Sequence, residues 1–261
     1  MAQDVNESEL TYEDVDHVGV ITINRPEARN ALTWSTYAAL EQAVRDSTAR
    51  CLVVTGADPA FCSGDDVKQI MGGGEKPPDL GSRSPRLTPA ADALLHTDIP
   101  VIAAVNGAAV GWGMELAMFA DIRIASERAK FGELFVLRGL VSDVGGIGRL
   151  TSLVGREKAA ELLFTGEVID AAEALRIGLV GRVVPHGELL PTAMTLAGRI
   201  AANPPLAVQA LKRGLRRTVD PDWNDLGIWV SENLAELFQT NDHREGVRSF
   251  LEKRPPEFTG T

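Results

Sequence analysis

Between Ile99 and Ala120 the chain carries one ionisable side chain, Glu115. It lies in Val101-Ile-Ala-Ala-Val-Asn-Gly-Ala-Ala-Val-Gly-Trp-Gly-Met-Glu-Leu-Ala, an apolar run followed by a glycine-rich turn and a helical stretch. A strand that feeds such a turn and then a helix leaves free backbone N–H groups at a positive helix end. Those groups can hold an anion, or an oxygen that becomes anionic during a reaction. A carboxyl beside them, set among apolar residues, has its proton held more tightly and is suited to shuttling it. As a first-turn glutamate, Glu115 also suits the helix dipole without any chemistry.

Two further segments belong with it. Phe61-Cys-Ser-Gly-Asp-Asp-Val follows a second apolar run. Alone it reads as a turn with Asp66 capping a helix; paired with the Gly111 turn, it supplies the second backbone donor that a two-point oxyanion hole requires. Gly139-Leu-Val-Ser-Asp-Val-Gly-Gly-Ile-Gly-Arg-Leu places Asp143 before two glycines and a helix, and the residue types alone favour a helix cap. The glycine spacing after Gly111 does not fit a dinucleotide fingerprint. The four histidines are scattered, with no His-x₃-His or Cys-x₂-Cys spacing, so no metal site is expected. Cys62 has no nearby base in the sequence and reads as a buried structural thiol.

The elements that position these residues alternate. Strands are expected at Val18–Asn24, Cys51–Gly56, Ile99–Val105, Ile122–Ala125, Lys130–Gly132 and Leu179–Val184, with helices at Leu32–Arg45 (Thr33 a candidate cap), Ala90–His96, Arg149–Leu153, Glu157–Phe164 and Ala171–Arg176. That order predicts an α/β fold. After Pro185 only helices are expected, at Leu189–Ala201, Pro205–Arg217, Asp225–Leu237 and Asp242–Leu251, with Asn203-Pro-Pro as a hinge. Met71 to Pro89, rich in Gly, Pro and Ser, reads as a loop. No internal repeat is visible in the sequence.

With 261 residues, 44% apolar and 24% charged, the composition is that of a globular protein able to bury a large core. A net charge of −10, with no basic cluster, argues against nucleic-acid binding. Two cysteines, Cys51 and Cys62, make no disulfide framework and suggest a reducing compartment. Met1 to Asp16 is acidic and polar, without a signal-peptide pattern, and no apolar run approaches the ~20 residues of a membrane span. A cytoplasmic protein with no membrane partner is expected.

Several motifs together resemble the enoyl-CoA hydratase/isomerase (crotonase) superfamily. They are Asn24-Arg-Pro-Glu-Ala-Arg-Asn-Ala-Leu, Ala60-Phe-Cys-Ser-Gly-Asp-Asp-Val, Asn106 to Ala117, Ala120-Asp-Ile-Arg-Ile-Ala, Phe131-Gly, Leu163-Phe-Thr-Gly, Ala171-x-x-Ala-x-x-x-Gly-Leu-Val and Glu245-Gly-Val-Arg-Ser-Phe-Leu-Glu-Lys-Arg. They occur in the family's order and cover nearly the whole chain. The resemblance implies a spiral core of repeated ββα units over residues 1–200 and a C-terminal helical trimerisation region over 201–261. It also implies assembly as a homotrimer or a hexamer built as a dimer of trimers. The substrate would be an acyl-CoA thioester, with no cofactor beyond the coenzyme A that is part of that substrate.

Carried over position by position, the resemblance makes the backbone N–H groups of Asp65 and Trp112 the oxyanion hole. Ala28, Arg29, Ser63, Asp65, Val67 and Lys68 would line the coenzyme A path, and Phe250 and Lys253 match positions that approach the coenzyme A of a neighbouring subunit. Glu115 matches the first of two hydratase glutamates. The second falls four residues after Phe131, where this chain has Phe135. Asp143 lies eight residues further on, where dienoyl-CoA isomerases and chlorobenzoyl-CoA dehalogenase resemble this chain in carrying an aspartate. The resemblance therefore turns Asp143 from a cap into the second catalytic acid, with Trp112 and Phe135 lining the acyl pocket. The activity it implies is hydration of a 2-enoyl-CoA. Enoyl- or dienoyl-CoA isomerisation is the alternative, and non-catalytic acyl-CoA binding a remote one.

Overall fold

The computed structural model describes residues 9–71, 87–220 and 222–261. Most of the expected Met71–Pro89 loop lies outside them. The chain opens with a hairpin, β1 (Leu10–Val15) and β2 (Val18–Ile23), and then α1 (Trp34–Arg45). β3 (Cys51–Gly56) and β4 (Ala60–Cys62) lead through a wide helical turn at Val67–Met71 towards α2 (Pro89–His96). β5 (Val101–Val105) and β6 (Ala108–Val110) lead to α3 (Trp112–Phe119), and β7 (Ile122–Ser126) and β8 (Lys130–Gly132) to a 3₁₀ turn at Phe135–Arg138. Wide turns at Gly145–Leu150 pass into α4 (Thr151–Val154) and α5 (Arg156–Thr165). There follow β9 (Val168–Asp170), α6 (Ala171–Arg176), β10 (Arg182–Val184) and α7 (Leu189–Ala201), and then α8 (Pro205–Val219), α9 (Trp223–Leu237) and α10 (Asn241–Glu252).

The expected spiral is present. β3, β5 and β7 are parallel neighbours in a six-stranded sheet of order β1-β2-β3-β5-β7-β10, while β4, β6 and β8 are parallel neighbours in a four-stranded sheet closed by β9. Each turn of the spiral thus lays one strand in each sheet before the chain moves on, as a ββα repeat does. The repeat is one of backbone path, and it leaves no trace as sequence similarity. Parallel strands covered on both faces need no polar alternation; β3 and β5 are buried at every position.

Three short strands were not expected: β4 and β6 lie where the sequence reads as turns, and β9 lies where no element was assigned. β1 was not expected either. It is an edge strand with only Leu10 buried, so its sequence stays polar. Thr33 caps α1 as expected, in a reciprocal box with Thr36. α7 lays Leu189, Ala193, Ala197 and Ala201 against Val53, Ile102 and Ala104 of the large sheet. α10 docks on the 3₁₀ turn: Gly246 admits the Arg138 backbone, and the His243 ring bonds the Arg138 carbonyl at 2.8 Å.

Candidate active site

β4 and β6 end side by side, and the two turns that follow them meet. Gly64 has φ +83°, and a Cβ there would lie 2.8 Å from the Val110 carbonyl oxygen and 3.3 Å from the Trp112 nitrogen. Gly113 faces the Cys62 carbonyl so closely that any side chain would collide with it. Glycine is required at both places for the approach. Trp112 is the first residue of α3, so its N–H has no partner within the helix. Leu32 pairs with the Gly64 carbonyl and the Asp66 amide, skipping the amide of Asp65. Among the described residues neither the Asp65 nor the Trp112 N–H donates to a backbone carbonyl. Two open donors at adjacent strand ends can stabilise one oxygen that gains charge.

α3 is buried along its whole length, and Glu115 in its first turn has no exposed surface. Among the described residues neither carboxyl oxygen meets a donor in full hydrogen-bonding geometry. The glycines of Gly145-Gly146 pack directly on it. Burial pushes its pKa far above the usual carboxyl range, and repulsion from Glu133 and Asp143 adds to this. The nearby Gly146 and Gly145 N–H groups offset only part. Glu115 therefore holds its proton more tightly than an exposed carboxyl does.

Asp143 is half-buried at the same pocket. Its carboxylate accepts from the adjacent Val144 N–H at 2.7 Å, not from the second or third amide that a helix cap would reach. The Trp112 indole leans toward it without reaching hydrogen-bonding geometry. Burial raises its pKa, and those two N–H groups hold the rise in check. Asp65 is raised to about 6 by burial, opposed by the Tyr37 hydroxyl, which donates to it at 2.6 Å. The Tyr37 ring stands edge-on to Trp112, 4.7 Å between centroids. Phe135 is buried at the start of its 3₁₀ turn.

The residues expected along the coenzyme A path fall into two groups. Ala28, Arg29 and Ser63 are brought together: the Ser63 N–H donates to the Arg29 carbonyl at 3.1 Å, and its hydroxyl to the Ala28 carbonyl at 3.3 Å. Val67 and exposed Lys68 continue from there on the wide turn. Phe250 and Lys253 lie on and just after α10. Phe250 is half-exposed, with the Arg138 guanidinium 4.5 Å above its ring, and Lys253 is exposed.

Three residues at the pocket were not anticipated. Glu133 is fully buried between β8 and the 3₁₀ turn; its signal was a lone charge in Phe131-Gly-Glu-Leu-Phe. Tyr37 shares the helical spacing of the core-facing residues, which hid the destination of its hydroxyl. Arg138 carried no signal. Among the described residues no group of three or more His, Cys, Asp or Glu side chains is arranged to hold a metal ion, and burial pushes the Cys62 thiol up to about 12.

The profile of enoyl-CoA hydratase/isomerase matches residues 13–261. The chain belongs to that family. It is 39% identical over 249 residues to a short-chain-enoyl-CoA hydratase of Clostridium acetobutylicum, covering 92% of this chain and 93% of that one. It is 37% identical over 260 residues to a crotonyl-CoA hydratase of Syntrophomonas wolfei, covering 95% and 99%. Among solved structures, an enoyl-CoA hydratase/isomerase from Pseudoalteromonas atlantica superposes with a TM-score of 0.87 at 29% identity, covering 96% of this chain and all of that one. A carnitinyl-CoA hydratase from Mycobacterium avium gives 0.86 at 36%, covering 98% and 100%. As a member of the hydratase/isomerase family the protein is an enzyme, and the junction of β4, β6 and α3 is the place where its fold gathers two open amides and the buried carboxyl of Glu115.

Proposed function

We propose that the protein hydrates 2-enoyl-CoA thioesters. The observation that carries this reading is Glu115, buried with both oxygens undonated, beside the open amides of Asp65 and Trp112. The thioester carbonyl accepts from those two amides. Water adds its oxygen to the β-carbon and gives a proton to Asp143, the less strongly shifted carboxyl. The electron pair of the double bond moves to the thioester oxygen as an enolate, which the two amides stabilise. Glu115, whose burial strengthens its hold on the proton, protonates the α-carbon. Solvent exchange then returns Asp143 and Glu115 to their starting states. Two carboxyls whose environments separate their proton affinities can divide acid and base roles in this way.

Ala28, Arg29, Ser63, Val67 and Lys68 would hold the coenzyme A portion, with Phe250 and Lys253 serving a neighbouring subunit and Trp112 and Phe135 bounding the acyl group. Coenzyme A enters only as part of the substrate. The exposed Leu206, Leu211 and Leu215 of α8 support assembly, here as a homotrimer, alone or paired into a hexamer; a cytoplasmic location is carried by the sequence reading alone. In the described residues no helix is long and apolar enough to cross a membrane.

The test is crotonyl-CoA in ¹⁸O-labelled water. Loss of the conjugated absorbance with label at the β-carbon supports hydration, and Glu115→Gln should abolish it with coenzyme A affinity retained. Conversion of a 3-enoyl- or 3,5-dienoyl-CoA without gain of mass, and none of crotonyl-CoA, would favour isomerisation. Apolar Phe135, in place of a second glutamate, is the observation on that side.

A further inference from the structure

Glu133 follows directly on β8 and has no exposed surface. A carboxyl so far from water needs donors at both oxygens or must keep its proton. It has one donor: the Ser142 hydroxyl donates to Oε2 at 3.1 Å, and Oε1 meets none. Ser142 is itself buried. It also faces Gly146, where a Cβ would lie 3.0 Å from Ser142 Oγ and 3.1 Å from Glu115 Oε1. The Ser142 hydroxyl and the Glu115 carboxyl therefore flank one point of backbone, with Glu133 behind the hydroxyl. A buried polar atom without a partner calls for an explanation, and packing supplies none here, since an apolar side chain would fill the space without that penalty.

We propose that Glu133 is a positioning residue for Glu115: with Ser142 standing between the two carboxyls in a three-membered chain, the proton that Glu133 holds or releases governs the charge that Glu115 can carry. The role in turnover rests on the hydration reading; the chain itself does not. Two carboxyls in one dry pocket do not ionise independently, so they lose protons as a pair in two steps. The groups facing them are Asp143 and the Gly145 and Gly146 N–H groups, with Asp65, Tyr37 and Arg138 beyond Asp143. Burial, with repulsion from Asp143 and against the Ser142 hydrogen bond, raises Glu133 to about 8. When Glu115 delivers its proton it becomes a carboxylate. A neutral Glu133 tolerates that charge and an ionised one opposes it.

Infrared titration of the protonated-carboxyl stretch, on the full chain without substrate, reads the chain directly. The wild type should lose this band in two steps assigned to the pair, each identified by its absence from Glu133→Gln or Glu115→Gln. In Glu133→Gln the Glu115 step should fall by about one pH unit or more, because the repelling charge is gone. Ser142→Ala keeps both carboxyls and removes the hydroxyl that favours ionised Glu133, so the Glu133 step should rise. An unmoved Glu115 step in Glu133→Gln overturns the proposal; should that variant not fold, an unmoved Glu133 step in Ser142→Ala overturns it. Failure of every 2-enoyl-CoA to be hydrated would leave these midpoints as they are, so the two readings fail separately.

Discussion

Gly145→Ala tests whether the space around Glu115 is catalytic space. Gly145 is not in the left-handed region, so alanine costs nothing in backbone conformation. The methyl, however, would lie 2.9 Å from Glu115 Cδ and overlap Oε2, and it would stand 3.1 Å from Phe119 Cε1. Carbon atoms in contact rest about 3.5–4.0 Å apart, so the carboxyl must retreat by most of an ångström from its present position. A displacement of about 1 Å in a reacting group costs roughly 10²-fold in rate. The expected result with crotonyl-CoA is a kcat lowered about 10²-fold, on the scale of that displacement, with little change in the affinity for coenzyme A, whose expected contacts lie on other turns. Stability should fall by about 1–3 kcal/mol, the usual cost of overpacking. Stopped-flow hydration with calorimetric binding of coenzyme A separates the two effects. Unaltered kcat in a folded Gly145→Ala would mean that the position of the Glu115 carboxyl does not matter to the reaction.

Three further outcomes are expected. Gly64→Ala puts a methyl 3.3 Å from the Trp112 nitrogen at a φ of +83°, and should cost on the order of 10²–10³ in kcat, as loss of one oxyanion donor does; a folded variant with wild-type kcat removes the two-amide assignment. Asp143→Asn keeps size and the Val144 hydrogen bond but cannot take a proton, so kcat should drop with KM nearly unchanged, while a silent substitution would leave Glu115 as the sole carboxyl in the chemistry. Glu133→Gln should stabilise the protein increasingly as pH rises: the folded enzyme holds this proton up to about 8, whereas the unfolded chain releases it near 4.5, so the wild type loses about 3 kcal/mol relative to the variant between pH 4.5 and 7, at about 1.4 kcal/mol per pH unit. Urea unfolding at three pH values measures this, and a difference independent of pH contradicts it.

The long elements were legible because their sequence patterns are set by burial. The apolar runs Cys51–Gly56 and Val101–Val105 could be little else than central strands, and α7 shows its small residues at helical spacing. Of the second sheet only β8 was legible, at Lys130–Gly132; β4, β6 and β9 are held by neighbours distant in sequence. At the site, Glu115 announced itself as the only charge in an apolar run. Asp143 did not: its local context is that of a cap, and only the fold shows that its carboxylate bonds the next amide and stays in the pocket. The convergence of Gly64 on Trp112 is likewise a product of β4 pairing with β6.

The 131–135 segment shows why position-by-position matching falls short here. Phe131, Gly132, Glu133 and Phe135 are all buried, and Leu134, with φ −89° and ψ 4°, opens the 3₁₀ turn, so the two-residue alternation of an extended segment does not run through to 135. A carboxyl at residue 133 stands just after β8, and one at residue 135 would stand inside the turn. With phenylalanine at 135, the carboxyl of this segment is that of Glu133, next to β8, where Ser142 reaches it. What changes is the relation to Glu115. A second carboxyl that stands behind a hydroxyl, with one oxygen unpartnered, is placed to hold a proton for its neighbour rather than to meet substrate itself. On the proposed hydration reading, Asp143, half-buried beside Trp112, is then the acid left to face the acyl group.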